Sequence, residues 1–189
     1  MRQKRLLPLA MHQWLTTTHN DERLICFEVP PGATGQLLGL MHPVLERGYA
    51  LYCIDGGNHF DPRLLALLSE QAGTNHLLER VYISRAYTCF QFLAALELLP
   101  LEDEPACLMV LGVDHLFLKD ELPVWERRFL FSKCQQALHQ RQQLGAPILV
   151  TYDGGPNNEW ARRLPGFQEK PPFRASSNPH LLQQHQYGY

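Results

Sequence analysis

The sequence predicts an α/β fold: a single domain on a mostly parallel sheet flanked by helices, followed by a C-terminal tail. Three observations carry this. Short apolar runs rich in β-branched and aromatic residues recur along the chain, segments with helical spacing separate them, and the composition turns Gly-, Pro-, Asn- and Gln-rich after Tyr152. Strands that alternate with helices call for parallel pairing through right-handed crossovers.

The elements follow in order. Residues 1 to 23 begin with Arg2, Lys4 and Arg5 and continue into an apolar stretch interrupted by His12 and Gln13. That pattern is expected of a helix rather than a signal peptide. The runs "LICFEV" (24–29), "ALYCID" (50–55), "ERVYIS" (79–84), "ACLMVLGV" (106–113) and "PILVTY" (147–152) predict strands. The last two are nearly all apolar, as a sheet covered on both faces requires. Helical spacing occupies 36–47, 61–72, 86–99 and 121–144. Asp61 before Pro62 predicts an N-cap with proline at the first helical position. In the last helix Leu122, Trp125, Phe129, Leu130, Cys134, Ala137, Leu138 and Leu144 predict a stripe facing the core, with Arg and Gln opposite. The core domain is expected to span 1–153 and the tail 154–189, with one short helix near 158–163.

Composition bounds the function. Hydrophobic residues make up 45 % of the chain and charged residues 19 %, an ordinary globular balance. No run reaches the ~20 apolar residues of a membrane span, so no membrane partner is expected. The five cysteines include no C-x-x-C pair and are expected to be buried free thiols in a reducing, intracellular compartment, cytoplasm or nucleus. The nine histidines lack metal-ligand spacing, and no metal site is expected. The net charge of −2 is uneven: both ends are basic and the middle is acidic, so any nucleic-acid contact should use the ends.

One stretch has the outline of a phosphate-binding loop. In "VPPGATGQLLG" (29–39) an apolar strand enters a Gly-containing turn and an apolar helix leaves. A G-x-x-x-x-G-K-[ST] loop uses backbone N–H groups, a Lys and a hydroxyl to hold a Mg²⁺-triphosphate. Counting back from Gly35 puts Pro30 at the first Gly, Gln36 at the Lys and Leu37 at the hydroxyl. The candidate loop, Pro30, Pro31, Gly32, Ala33, Thr34, Gly35, Gln36 and Leu37, thus has the shape without the charge.

The most specific stretch is "YALYCIDGGNHFDPRLLALL" (49–68), where Asp55 ends a strand and Phe60, Pro62, Arg63 and Leu64 open a helix. It resembles the RecA-like recombinases, especially the strand-exchange branch of archaea and eukaryotes and its paralogues. "VYISRAYTCFQFLAAL" (81–96) is similar to that family's strand and R-A-[FY] helix start. The run 106–113 resembles its Walker B strand, 123–144 the long helix behind it, and "APILVTYDG" the strand entering its second DNA-binding loop. The resemblance covers roughly 24–154 in matching order and implies a RecA-like, P-loop-type core. It also shows what is altered. Gly57 stands where active relatives carry the Glu that activates water, and Gly112 where the Walker B Asp is expected, with Asp114 two positions on. With Gln36 and Leu37, these changes remove the charges that would hold and hydrolyse Mg-ATP. The expectation is a pseudo-ATPase with no catalytic residues and no ATP or Mg cofactor.

Weaker candidates complete the reading. Asp55, His59 and Asp61 form a polar group that capping and a strand-end loop explain without catalysis. "FLAA" (92–95) matches the Phe-x-x-Ala element by which recombinase protomers dock, but its place on an interior helix favours core packing. In the tail Trp160, Arg162, Arg163, Lys170 and Arg174 have the aromatic and basic character that suits single-stranded DNA. A solubilising or partner-wrapping tail is the alternative. The leading expectation is a non-catalytic accessory protein in homologous recombination and DNA repair, with a RecA-family protein or a second copy of itself as partner. The alternatives are a nucleotide-binding protein or weak ATPase completed by a partner subunit or by Asp114, and a RecA-like domain unrelated to DNA.

Overall fold

In the computed structural model, which describes residues 24–29, 34–100, 105–119, 121–152 and 159–163, five strands lie side by side in the order β1-β5-β4-β2-β3. They are β1 (Leu24–Glu28), β2 (Ala50–Asp55), β3 (Val81–Arg85), β4 (Ala106–Leu111) and β5 (Ile148–Tyr152). Every neighbouring pair is parallel. The helices are α1 (Thr34–Glu46), α2 (Pro62–Ala72), α3 (Cys89–Glu97), α4 (Val113–Lys119) and α5 (Val124–Gln143), with short 3₁₀ turns at Asn75–Arg80 and Ala161–Arg163.

Side chains alternate across a strand, so β1, β2, β4 and β5 each feed two cores. On one face Ile25, Leu51, Cys53, Met109 and Leu149 pack under Met41, Val44 and Leu45 of α1, Leu65 of α2 and Leu77. On the other, Cys26, Tyr52, Ile54, Val110 and Val150 pack under Phe92 and Leu96 of α3, Phe117 of α4 and Leu130 and Phe131 of α5. The path obeys one hand. From β1 through β2 to β3 the chain moves one way along the sheet with α1 and α2 on the first face. It returns through β4 to β5 with α3, α4 and α5 on the second.

The predicted α/β class and parallel sheet are present. Asp61 caps α2 as expected, its Oδ1 accepting from the N–H groups of Arg63 (2.9 Å) and Leu64 (3.3 Å), with Pro62 in the first turn. All five cysteines are buried free thiols. Burial pushes the Cys107 and Cys134 thiols up to about 12. In the "FLAA" element Phe92 is fully buried in the core and Leu93 and Ala95 pack partly against it, while Ala94 is exposed.

Three expectations need correction. The fourth strand stops at Leu111, because Gly112 takes φ +59° and turns the chain into α4, a helix the apolar run concealed. On α5 the buried set is Leu130, Phe131, Cys134, Ala137, Leu138 and Gln142, while Trp125, Phe129 and Leu144 are exposed. At about 100° per residue, Phe129 sits well round the helix from Leu130, outside the arc that meets α3. Finally, Trp160 belongs to the core: it is 2 % exposed and packs on Phe117 and Phe131 with ring centroids 5.6 and 5.1 Å away. The packed body therefore runs past the boundary expected at 153. The expectations for 1–23 and 164–189 lie outside the described residues.

Candidate functional site

Topology singles out the carboxyl end of β2. The chain leaves β2 toward the face of α2, whereas it leaves both neighbours, β4 and β3, toward the face of α4 and α3. Where neighbouring connections part in this way, an open α/β sheet leaves a crevice beyond its strand ends, the usual ligand position. A depression of about 190 Å³ lies there. It is lined by residues 55–58 after β2, by Arg85, Ala86 and Tyr87 after β3, and by His115 and Leu116 of α4.

Its floor is Asp55, 1 % exposed. Oδ1 accepts from the His59 N–H and Oδ2 from the Phe60 N–H, both at 2.9 Å. The Arg85 Nε lies 3.8 Å from Oδ2, and the same guanidinium donates to the Phe60 carbonyl at 3.0 Å. A buried carboxylate needs such partners, since an unpaired charge in the interior is costly. The group closes the 55–60 turn, in which Asn58 adopts φ 56°. Asp55 therefore works as a clamp whose two oxygens are both engaged.

The glycines explain what lies above that floor. A Cβ on Gly57 would overlap the His59 imidazole. A Cβ on Gly112 would come within 2.9 Å of the same ring and 3.1 Å of the Gly57 Cα, and its positive φ disfavours any side chain. The backbone N–H of Gly112 donates to Thr151 Oγ1 at 3.1 Å, which fixes the turn after β4 against β5. The imidazole of His59 thus rests on two bare backbones, edge-on to His115 with centroids 6.2 Å apart. Its ring occupies the space into which side chains at 57 and 112 would project.

Asp114 is fully buried in the first turn of α4 and lies toward the other end of the sheet. Burial is the main reason that the Cys26 thiol is raised and the Tyr152 phenol is pushed up to about 12, and the Asp114 charge adds to both. It sits beside the ends of β1 and β5, not in the depression. Thr34, Gly35, Gln36 and Leu37 form the first turn of α1, and Pro30 to Ala33 lie outside the described residues.

The structure thus gathers Asp55, Gly57 and Gly112 around His59, and separates them from Asp114. The proposed DNA residues are elsewhere. Arg162 and Arg163 are exposed beside α5, Glu159 pairs with Arg163 at 3.6 Å and Arg128 at 3.9 Å, and the Arg163 carbonyl accepts from the Gln135 amide. Trp160, buried under them, has no face to offer a base. Lys170 and Arg174 lie outside the described residues. Among the described residues no group of three or more His, Cys, Asp or Glu is arranged to hold a metal ion. Sequence reading gave no site role to Arg85, Tyr87 or His115. The usable signal was an Arg ending one strand run while an Asp ends another, because parallel register sets Asp55 beside Arg85.

No protein-family model matches this chain. No curated protein matches it either.

Proposed function

We propose that this chain is a non-catalytic, RecA-like accessory protein that works in DNA repair and homologous recombination through its surfaces rather than by turnover. One observation carries the reading. At the two positions where the resemblance calls for a water-activating Glu and a metal-holding Asp stand Gly57 and Gly112, and the His59 ring lies against both. The one carboxylate at the strand end, Asp55, is consumed by two N–H groups and Arg85. No free carboxylate stands in that place to orient water or hold a metal ion as the resemblance requires. Partner docking is the proposed activity, with single-stranded DNA contact through Arg162, Arg163, Lys170 and Arg174 as its basic component.

Calorimetric titration with Mg-ATP tests this: no binding at about 100 µM or tighter is expected, a threshold of roughly 5.5 kcal/mol. Micromolar binding would overturn the pseudo-ATPase reading. It would favour the second one, a nucleotide site completed by a partner subunit, for which the burial of Asp114 beside the ends of β1 and β5 is the supporting observation.

A further inference from the structure

One wall of the depression beyond β2 and β3 is an aromatic ring that the fold does not use. Tyr87 is 70 % exposed and makes no ring contact among the described residues. Its backbone, by contrast, is held on both sides. The Ala86 N–H donates to the Asp55 carbonyl at 3.0 Å, which carries the β2–β3 ladder one residue past the strand. The Tyr87 N–H donates to Gln91 Oε1 at 2.9 Å, and the Gln91 N–H donates to Thr88 Oγ1 at 3.2 Å, a reciprocal cap on the start of α3. An exposed ring on a fixed backbone is already placed for a ligand to stack on it, so little ordering is left to oppose binding.

The other walls carry polar groups. Asn58 is exposed, and the Arg85 side chain is 39 % exposed. The Arg85 Nε faces Asp55 and one Nη holds the Phe60 carbonyl, so the other Nη has no partner among the described residues. The His115 imidazole and Leu116 complete the lining. A phenol ring, a guanidinium, an amide and an imidazole around one small depression suit a heterocyclic base, which offers a flat face to stack and an edge of acceptors and donors to bond. An apolar side chain of a protein partner would cover Asn58 and Arg85 without bonding them, and that desolvation opposes it. Size narrows the ligand further. At about 190 Å³ the depression falls below the roughly 300–1,000 Å³ of pockets that enclose a drug-sized ligand, so it admits one ring system and leaves the remainder outside.

We propose that the depression receives one unpaired base of single-stranded nucleic acid, stacked on Tyr87 and met by the unengaged Nη of Arg85. The ligand is a strand rather than a free nucleotide because one stack alone supports only about millimolar binding, and further contacts along a strand multiply it. Stacking rather than charge carries the contact, which is how the acidic body of the chain can make it. This inference rests on the single-stranded contact in the proposed function and places part of it at the sheet end. The loss of ATPase chemistry is a separate matter, tested by the Mg-ATP titration alone.

Fluorescence anisotropy of the full chain with a labelled single strand of about 20 thymidines tests it. Tyr87→Ala should weaken binding roughly 5- to 100-fold with an unchanged circular dichroism spectrum, and Tyr87→Phe, which keeps the ring, should bind as wild type does. The salt dependence should be the same in all three proteins, because the substitutions remove a stack and no charge. With an iodouracil-containing strand, photocrosslinking followed by mass spectrometry should mark Tyr87. Thymidine monophosphate should compete only at about millimolar concentration. Tyr87→Ala binding as tightly as wild type, or crosslinks confined to the tail, overturns the site and leaves the contact to the tail. A mononucleotide that binds as tightly as the strand overturns the strand as ligand. If no single strand binds, this site and the tail contact both fall, while the pseudo-ATPase reading still stands or falls with Mg-ATP.

Discussion

β2 and β3 are neighbours, paired in register from Leu51–Val81 to Asp55–Arg85, with apolar sequences so alike that either could stand for the other. Their surroundings are opposite. Every residue of β2 is buried, while β3 is open from Tyr82 onward. The charged residues at their ends repeat the contrast: Asp55 is sealed under the turn that it clamps, and Arg85 reaches it from a partly exposed position. An apolar run therefore specifies a strand, but where that strand lies in the sheet decides whether its side chains stabilise the fold or remain available at the surface.

The comparison breaks first at matched isoleucines. Ile54 on β2 is fully buried, and Ile83 pairs one register position away on β3. Ile54→Ala should cost about 4 kcal/mol, and Ile83→Ala in dilute solution under about 1 kcal/mol. Urea unfolding measures both, and equal costs would mean that β3 is covered in solution. Asp55→Ala comes next. It leaves the buried Phe60 N–H and the half-buried His59 N–H without an acceptor and Arg85 without its counter-charge, so a loss of about 3 kcal/mol is expected, lowering Tm by about 10 °C for a chain of this length. A loss under about 1 kcal/mol would show that the 55–60 turn holds without its clamp.

Alkali sharpens the same contrast, since the interior strands β2 and β4 each carry a buried thiol and β3 carries none. The Cys107 thiol on β4 is pushed by burial from 9.0 to about 12. Its folded pKa is raised, so its contribution is fully present below pH 9 and is lost as pH rises toward 12. At pH 10 one such thiol accounts for a loss on the order of 1 kcal/mol. Stability should fall over that window, and Cys107→Ala should flatten the fall. An unchanged slope in that variant would place the alkaline loss elsewhere.

How much of this was legible follows from the kind of signal each feature emits. β2, β4 and β5 announced themselves because strands buried on both faces are continuous apolar runs, and Asp61–Pro62 announced α2 because capping is local chemistry. The openness of β3 gave no local sign: it depends on the order β1-β5-β4-β2-β3, set by crossovers. α4 was hidden because the apolar strand run continues to Val113, past the true strand end, and the turn is made by Gly112, whose positive φ the sequence does not show. Trp160 looked like tail because its neighbours are polar, yet its ring fills a gap between Phe117 and Phe131 that α4 and α5 create together. At the site, Asp55, Gly57 and His59 belong to one segment, so the polar strand end and its glycine turn are visible in the sequence. Arg85 and His115 reach it from other segments, and nothing short of strand order brings them there.

The smallest expected effect concerns the two glycines under His59. A methyl group at Gly57 would overlap the imidazole, so Gly57→Ala must displace a ring that already contacts Gly112 and lies edge-on to His115. Displacement of a packed group should cost about 1–2 kcal/mol. If the ring is the whole obstacle, the cost belongs to the pair and not to position 57. In a His59→Ala background Gly57→Ala should then cost under about 0.5 kcal/mol, the difference being the coupling energy of the cycle. Residues in contact behave this way, and residues that are independently strained do not. A cycle that adds without coupling would mean that position 57 needs glycine for its own backbone. The His59 ring would then be a bystander at the strand end rather than the group that closes it.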